Sequence, residues 1–399
     1  MGEIVVVGDV HEGINFPYNI DPETGLSARA LDIHKNLRRV AEYALESRAS
    51  LFVIVGDLFD RTHVSPISRE LVRRDVIEPL GEAGVEVWIL AGNHDQPHNP
   101  GRGTSLEDFR GYPHVKVFRK PAVQGLEIDG IRVECILLPY MHPEQIAALV
   151  KEREGREIPQ EQLFVMGQKI LQSWLEKKAS GTKADLKLLF AHYYLEGARL
   201  KEGAYPEVLP GEFSLRKELI PEALDLAVFG HVHIHQVAGR KGKAEIVYTG
   251  SVERLDWGER SDRKGFMTIN PASKAWRFVE LPCREMLRVE VEIGPGEDPT
   301  ERILEAIPAV NGALVRLEVV VGEGQRERVE DRRVMERLKG AFHYEVSWRE
   351  RSTAKKGAVQ FTMDPFSLFK GFVELNYPDH PRREELLEKG RAILREVVG

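Results

Sequence analysis

Five polar clusters, each placed directly after an apolar run, constrain this chain more than any other feature of its sequence. The clusters are Asp9-Val10-His11, Gly56-Asp57, Gly92-Asn93-His94-Asp95, Ala191-His192 and Gly230-His231-Val232-His233. The apolar runs before them, separated by stretches of helical periodicity, are typical of a parallel sheet that is covered on both faces. Because ligands bind outside the carboxyl ends of strands in open α/β sheets, we expect the five clusters to meet at one edge.

The residue types in these clusters suit a divalent metal centre. Imidazoles, carboxylates and an amide oxygen together favour manganese, iron or zinc. In extended backbone, residues i and i+2 point the same way, so we expect Asp9 and His11 to hold one ion together, and His231 and His233 to do likewise. Glycines stand just before the ligand candidates, where we expect tight turns or a close approach of the backbone: Gly8, Gly56, Gly92 and Gly230.

The rest of the chain predicts a second sheet and a smaller unit. Residues 126–133 read as a hairpin with Asp129-Gly130 at its turn, and a helical stretch over about 143–180 follows. The predicted fold class is α/β, a sandwich of two sheets flanked by helices. A βαβαβ-like pattern begins after Pro282 and a charged amphipathic helix, 381–398, ends the chain. We therefore predict a main domain over 1–282, a small α+β domain over 283–360 and a helical tail over 361–399.

The five clusters resemble the signature of the calcineurin-like metallophosphoesterase superfamily, which runs D-x-H, G-D, G-N-H-D/E, H and G-H-x-H. The resemblance covers residues 3 to about 240 and extends to every ligand position. It implies that two divalent ions share one bridging carboxylate: one ion held by Asp9, His11, Asp57 and His233, the other by Asp57, Asn93, His192 and His231. It also implies two catalytic residues, with His94 stabilising or protonating the leaving oxygen and Asp95 orienting His94. Such an ion pair, about 3.5–4 Å apart, activates water for attack on a phosphoester.

A narrower resemblance lies further along the chain. Residues 248–259, with Lys264-Gly265-Phe266 after them, are similar to the corresponding segment of SbcD-type DNA repair nucleases. This resemblance implies a manganese-dependent double-strand exonuclease and single-strand endonuclease that is homodimeric, cytoplasmic and associated with the nucleoid. It implies that the small domain is a capping domain and that the tail binds an SMC-like (SbcC-type) ATPase. Asp60 stands where archaeal and eukaryal members usually have histidine, which leaves the balance of the two nuclease activities open.

Two other functions stay open at this stage. One is a stand-alone phosphodiesterase or phosphatase acting on a small nucleotide or a phosphoprotein. The other is a non-catalytic scaffold, against which the intact set of ligand positions speaks. No DNA-contacting residue is assigned: residues 326–356 hold ten Lys and Arg against six Asp and Glu, which suits a DNA surface or merely a solvated helix face.

The charge balance bears on the substrate. With 56 Lys and Arg against 63 Asp and Glu, the formal net charge is -7, which by itself disfavours nucleic acid as a partner. Two divalent ions would bring that balance to about -3 and place positive charge where a phosphate must bind. We therefore expect DNA affinity to be local and metal-dependent. The two cysteines, Cys135 and Cys283, exclude a disulfide framework, and no apolar run is long enough to span a membrane.

Overall fold

A computed structural model describes residues 2–99, 101–155, 159–181, 183–200, 212–351, 369–370, 373 and 382–398. Most of the predicted tail before residue 382, and the end of the predicted small domain, therefore lie outside the described residues. Within the described part, the strands form two six-stranded sheets and one three-stranded sheet. No described helix combines the length and apolar character needed to cross a membrane.

The strands are β1 (Ile4–Val7), β2 (Leu51–Val55), β3 (Glu86–Leu90), β4 (Val115–Phe118), β5 (Ala122–Ile128), β6 (Ile131–Leu138), β7 (Leu186–His192), β8 (Leu226–Gly230), β9 (Gln236–Lys241), β10 (Ala244–Tyr248), β11 (Gly265–Ile269), β12 (Trp276–Glu280), β13 (Met286–Glu292), β14 (Leu314–Val321) and β15 (His343–Glu350). The α-helices are α1 (Ala28–Glu46), α2 (Pro66–Val72), α3 (Glu78–Glu82), α4 (Pro143–Glu154), α5 (Gln160–Ser180), α6 (Pro299–Ala306), α7 (Asp331–Leu338) and α8 (Arg383–Val398). A π-helical turn, Arg73–Ile77, joins α2 to α3.

The first sheet has the order β12-β11-β1-β2-β3-β4, and its β1 to β4 strands run parallel. The sequence of β1 is apolar throughout because both faces of this strand are buried. Ile4 and Val6 pack into the core between the two sheets, whereas Val5 and Val7 pack against the helices. Burial on both faces therefore produces the unbroken β-branched run that predicted this strand.

The second sheet has the order β5-β6-β7-β8-β10-β9, with β6, β7, β8 and β10 parallel. Its inner face supplies Val133, Leu188 and Val228 to the core between the sheets. Its outer face packs against α4 and α5 through residues such as Ile136 and Leu175. The layers are therefore helix, sheet, sheet and helix, which confirms the predicted fold class.

Helix α1 shows how local sequence sets the first helical layer. The Ser27 side chain accepts a hydrogen bond from the Ala30 backbone N–H at 3.0 Å and so caps the helix start. Ile33, Leu37 and Ala44 recur at helical spacing on its buried face. Truncating a fully buried leucine such as Leu37 to alanine costs about 2–5 kcal/mol of folding free energy.

The three-stranded sheet β13-β14-β15 is parallel and has its own core with α6 and α7. It contacts the main body through the segment before β13, where Arg284 donates to both carboxylate oxygens of Asp32 at 2.7 and 2.9 Å. A second contact is the stack of Tyr18 on His343, with ring centroids 3.8 Å apart. The loop that follows the first polar cluster therefore reaches the small sheet.

Two helical predictions need correction. The predicted helical stretch 143–180 is two helices, because Gly155 ends α4 in a left-handed conformation with φ of 66°. The stretch from Ser65 to Ala83, whose sequence predicts one continuous helix, is divided by the π-helical turn, and the Ser65 side chain caps its start. The hairpin turn is as predicted, with φ of 49° at Asp129 and 83° at Gly130.

Candidate metal centre

The five polar clusters follow strands that end on one side of the sandwich. Parallel strands β1, β2 and β3 bring the first three clusters to the carboxyl edge of the first sheet, and parallel strands β7 and β8 bring the other two to that edge of the second sheet. The two edges touch where His192 Nδ1 lies 2.8 Å from the backbone oxygen of Val55. The predicted ligands and His94 gather at this seam.

Glycine permits the close approach of the two sheets at the seam. A Cβ atom on Gly56, which has φ of +83°, would lie 1.9 Å from His192 Nδ1. A Cβ atom on Gly230 would lie 2.1 Å from the Val55 backbone oxygen. No side chain can occupy these positions without moving a predicted ligand or the strand beneath it, so the expected close approach is present.

The backbone of the ligand candidates corrects one expectation. Four of them adopt positive φ rather than extended conformations: 50° at Asp9, 56° at His11, 49° at Asp57 and 91° at His231. Asp9 and His11 do converge, but not through the alternation of an extended strand. Left-handed backbone at non-glycine residues costs about 1–3 kcal/mol each and is typical of functional sites.

One group of ligand candidates contains Asp9, His11, Asp57 and His233. His11 Nε2 lies 3.1 Å from His233 Nε2 and 3.8 Å from Asp57 Oδ2. One ligand atom each from Asp9, His11 and His233 lies within 4.8 Å of the others. These three side chains are buried, so little water is available to solvate the atoms that face one another.

The other group contains Asp57, Asn93, His192 and His231. Asn93 Oδ1 lies 3.0 Å from His192 Nε2 and 2.9 Å from His231 Nδ1. Asp57 Oδ2 lies 3.2 Å from the same His192 nitrogen. Asp57 thus stands between the two groups, at the place where a bridging carboxylate was predicted.

The hydrogen-bond chemistry of these side chains fits a pair of divalent cations. His192 Nδ1 faces a carbonyl oxygen, which can only accept, so Nδ1 carries a proton and Nε2 is the ring nitrogen turned towards Asn93 and Asp57. Asp9 Oδ2 is buried and has no hydrogen-bond partner among the described residues. A buried acceptor without a donor is costly unless a cation binds it. The set contains no thiolate, which favours a catalytic over a structural centre.

Electrostatics keep the bridging carboxylate ionised. Burial raises the pKa of Asp57, but the neighbouring His192 and His94 outweigh it and hold this pKa well below its usual range. Burial lowers the pKa of His192, but the Asp57 carboxylate raises it to about 9, so without metal Nε2 also carries a proton at neutral pH, and a bound cation would take the place of that proton. The centre therefore presents an anionic bridge, the form that binds a cation.

His94 lies beside this centre. Asp95 stabilises the loops around the centre and does not orient His94 as predicted. The half-buried His94 ring packs edge-to-face on His11 with centroids 4.7 Å apart, and its Nδ1 lies 2.6 Å from the backbone oxygen of Asp60. Asp95 was expected to orient His94. Its carboxylate instead accepts hydrogen bonds from the backbone N–H groups of Leu58, Phe59 and Gly92, at 3.3, 3.1 and 3.0 Å. It braces the loops that carry Asp57 and Asn93, and Asp60 orients His94.

Three residues near the centre were missed as site residues. Glu259 Oε1 lies 2.8 Å from His233 Nδ1, and Lys264 Nζ lies 2.7 Å from Glu259 Oε2. Glu212 Oε1 lies 3.1 Å from His231 Nε2. Glu259 and Lys264 fall in the segment that carried the narrower resemblance, but no spacing rule linked them to the ligands.

Histidines outside the clusters stay away from this centre. His235 Nδ1 lies 2.8 Å from the Tyr248 backbone oxygen, and its ring stacks on Phe278. His98 is exposed and stacks on His142, and His63 is exposed on its loop. None of the three adds a ligand to the groups described above.

Comparison with known proteins places this site in a family context. Residues 2–235 match the calcineurin-like phosphoesterase family. The chain is 29% identical over 303 residues to the DNA double-strand break repair protein Mre11 of Archaeoglobus fulgidus, covering 70% of this chain and 60% of that protein. It is 23% identical over 304 residues to the protein of the same name from Aeropyrum pernix, covering 74% and 65% respectively. It is 27% identical over 283 residues to exonuclease subunit 1 of Enterobacteria phage T4, covering 69% and 67%. The aligned region thus spans less than two thirds of each archaeal relative.

Proposed function

The chain belongs to the calcineurin-like phosphoesterase family, and from that premise we propose that it is a metal-dependent DNA nuclease that acts in double-strand-break repair. The observation that carries the hydrolytic part is the seam, where Asp57 Oδ2, Asn93 Oδ1 and His192 Nε2 face one another. This donor set suits a divalent cation, which would take the place of the proton that His192 Nε2 carries without metal. We assign the two ions to the ligand groups predicted from the sequence, with manganese as the first candidate metal.

Each residue at the seam has a distinct proposed role. When bound, two divalent ions polarise a phosphodiester and activate water for attack. Asp57 bridges the two ion sites, and His94 is held with Nδ1 towards the Asp60 carbonyl, which leaves its Nε2 for the substrate. A donor at that position stabilises charge on the leaving oxygen or protonates it. No covalent nucleophile from the protein is needed.

DNA is proposed as the substrate because of the relatives. The alignments with the two archaeal repair proteins extend over 303 and 304 residues, which is longer than the 2–235 span of the family match. The similarity therefore includes sequence beyond the phosphoesterase region. Both double-strand exonuclease and single-strand endonuclease activity belong to this proposal, and Asp60, whose Oδ1 lies 3.7 Å from His11 Nδ1, leaves the balance between them open.

The assembly is also a proposal. We assign residues 1–282 to a nuclease domain, 283–360 to a capping domain and 361–399 to a tail that binds an SMC-like ATPase. The capping assignment is supported by the separate core of the three-stranded sheet and by its contact with the loop that carries Tyr18. In α8, Leu386 is 38% exposed, as expected of a helix that a partner covers. We further propose a homodimer that works with DNA at the cytoplasmic nucleoid.

Labelled duplex and single-stranded DNA, compared with a generic aryl phosphodiester in the presence of Mn²⁺, test the substrate. We expect cleavage of DNA that chelation abolishes and that Asp57→Asn removes. Asp185→Asn changes a surface carboxylate paired with Arg132 and should leave cleavage intact. Turnover of the aryl ester alone, even with the ATPase added, would reject the nuclease and favour a stand-alone phosphodiesterase.

A further inference from the structure

We propose that Glu259 and Lys264 are positioning residues of the metal centre, which fix the tautomer and the orientation of the His233 imidazole. Both residues lie beyond the 2–235 span of the family match. The inference rests on the metal centre within the proposed function but not on DNA being the substrate. It concerns one of the two ion sites, the one that contains His233.

The contacts form a closed circuit around His233. Glu259 Oε1 lies 2.8 Å from His233 Nδ1, and the other carboxylate oxygen lies 2.7 Å from Lys264 Nζ. Lys264 Nζ in turn donates to the backbone oxygen of His233 at 2.9 Å and to Ser251 Oγ at 2.8 Å. Lys264 therefore ties the carboxylate to the main chain of the histidine that the carboxylate holds.

This circuit fixes which ring nitrogen faces the metals. An ionised carboxylate can only accept hydrogen bonds, so His233 Nδ1 carries the ring proton and donates a hydrogen bond to Glu259. The lone pair then belongs to Nε2, the atom that lies 3.1 Å from His11 Nε2. Carboxylate partners of this kind orient histidine ligands and raise their basicity.

The ion pair between Glu259 and Lys264 is buried. The side chains of Glu259 and Lys264 are 1% and 0% exposed. A buried ion pair contributes little net stability, because the loss of hydration offsets the attraction of the charges. Leu255 donates its backbone N–H to Glu259 Oε2 at 2.9 Å, which completes the hydrogen bonding of this carboxylate. Since this fully hydrogen-bonded pair adds little to folding stability, we infer that its role is to orient the His233 side chain.

Glu259→Gln is the decisive variant. A glutamine side chain has one accepting oxygen, so it can accept from His233 or from Lys264 and Leu255, but not from both sides. Glu253→Gln is the matched control, because Glu253 lies in the same segment, is 1% exposed and pairs with the buried Arg29 without touching a ligand. Mn²⁺ alone is titrated into both metal-free variants and the wild-type protein by calorimetry, so no substrate is involved.

We expect Glu259→Gln to weaken one of the two Mn²⁺ binding events by about 10–100-fold and Glu253→Gln to change neither. Nitrogen NMR of histidine-labelled protein should show His233 protonated at Nδ1 in the wild type and as a tautomer mixture in Glu259→Gln. Wild-type affinities and tautomer in Glu259→Gln, or an equal loss in Glu253→Gln, would overturn the inference. If Glu259→Gln does not fold, the double variant Glu259→Gln/Lys264→Met removes both charges and takes its place with the same expectations. Failure to cleave DNA would reject the proposed substrate without affecting these results.

Discussion

His11 Nε2 and His233 Nε2 lie 3.1 Å apart although 222 residues separate them in the chain. His233 holds its proton on Nδ1, towards Glu259, and so presents a lone pair to His11. That lone pair can accept a hydrogen bond from His11 or bind a cation together with His11.

Manganese should stabilise the fold. Because the buried Asp9 Oδ2 has no hydrogen-bond partner among the described residues, we expect Mn²⁺ to bind the native state selectively. At a free concentration of 100 times Kd, one such site adds about 2.7 kcal/mol to the free energy of unfolding. Thermal denaturation with and without Mn²⁺ measures this. The increase should be smaller in Asp9→Asn, which changes a ligand of one of the two ion sites, and a melting temperature that Mn²⁺ leaves unchanged in the wild type would contradict the metal centre.

His94→Ala should slow hydrolysis strongly while the protein still binds metal. His94 contributes no atom to the two proposed ligand sets, so Mn²⁺ affinity and melting temperature should stay near wild type. Loss of a general acid lowers the rate by about 10²–10⁴-fold. Single-turnover cleavage measures the effect, with His63→Ala as the control at an exposed histidine. Cleavage by His94→Ala at the wild-type rate would show that the proposed mechanism is wrong.

Gly230→Ala should damage the seam. The added methyl group would lie 2.1 Å from the Val55 oxygen and 2.8 Å from His192 Nδ1, and the strand backbone cannot retreat. We expect a loss of about 1–3 kcal/mol in the free energy of unfolding, together with weaker Mn²⁺ binding. Chemical denaturation and calorimetry measure the two effects. Gly111→Ala, which meets no atom within 4 Å, should be nearly silent in both.

His34 should make stability depend on pH. Its ring nitrogens lie 3.1 Å from a Glu12 carboxylate oxygen and 2.9 Å from an Asp75 carboxylate oxygen. Burial lowers the pKa of His34, but the two carboxylates outweigh burial and raise this pKa above the ordinary value of 6.5. A raised folded-state pKa gives stability that is fully present below pH 6.5 and lost as pH rises through the raised value. The destabilisation caused by His34→Gln should therefore be larger at pH 6 than at pH 9.

Urea denaturation of both proteins in chelator, which removes any contribution from metal, measures this difference. His114→Gln is the control, because His114 bonds the backbone oxygen of Ile77 rather than a carboxylate. A destabilisation by His34→Gln that grows with pH would contradict a raised pKa of His34 in the folded protein.

The ligand candidates were predictable because strand ends are visible in the sequence. The apolar runs before Asp9, Asp57 and Asn93 are buried on both faces, so their ends stand out. The left-handed backbone at Asp9, His11, Asp57 and His231 was not predictable, because nothing in the local pattern distinguishes it from extended chain. In the fold, the backbone N–H groups of Asp9 and His11 donate to the backbone oxygens of Gly56 and Asp57, contacts between segments far apart in the sequence.

The missed elements lacked the same signal. Strands β4 and β9 each close one edge of a sheet and are only partly buried, so neither has an apolar run. Glu259 lies 26 residues from His233, and only the folded path of the intervening chain brings them together. Asp95 was assigned the wrong partner because adjacency to His94 in sequence suggested contact, whereas its side chain turns to the backbone of the neighbouring loops.

The division of the ligands between two sheets has a consequence for assembly. Asp9, His11, Asp57 and Asn93 come from the first sheet, and His192, His231 and His233 come from the second. Each proposed ion site draws on both, so neither half of the sandwich can build one alone. Metal binding therefore requires that the two sheets have packed together in the native arrangement. A partly folded chain, or one whose sheets have packed incorrectly, lacks the hydrolytic centre and does not cleave phosphodiesters.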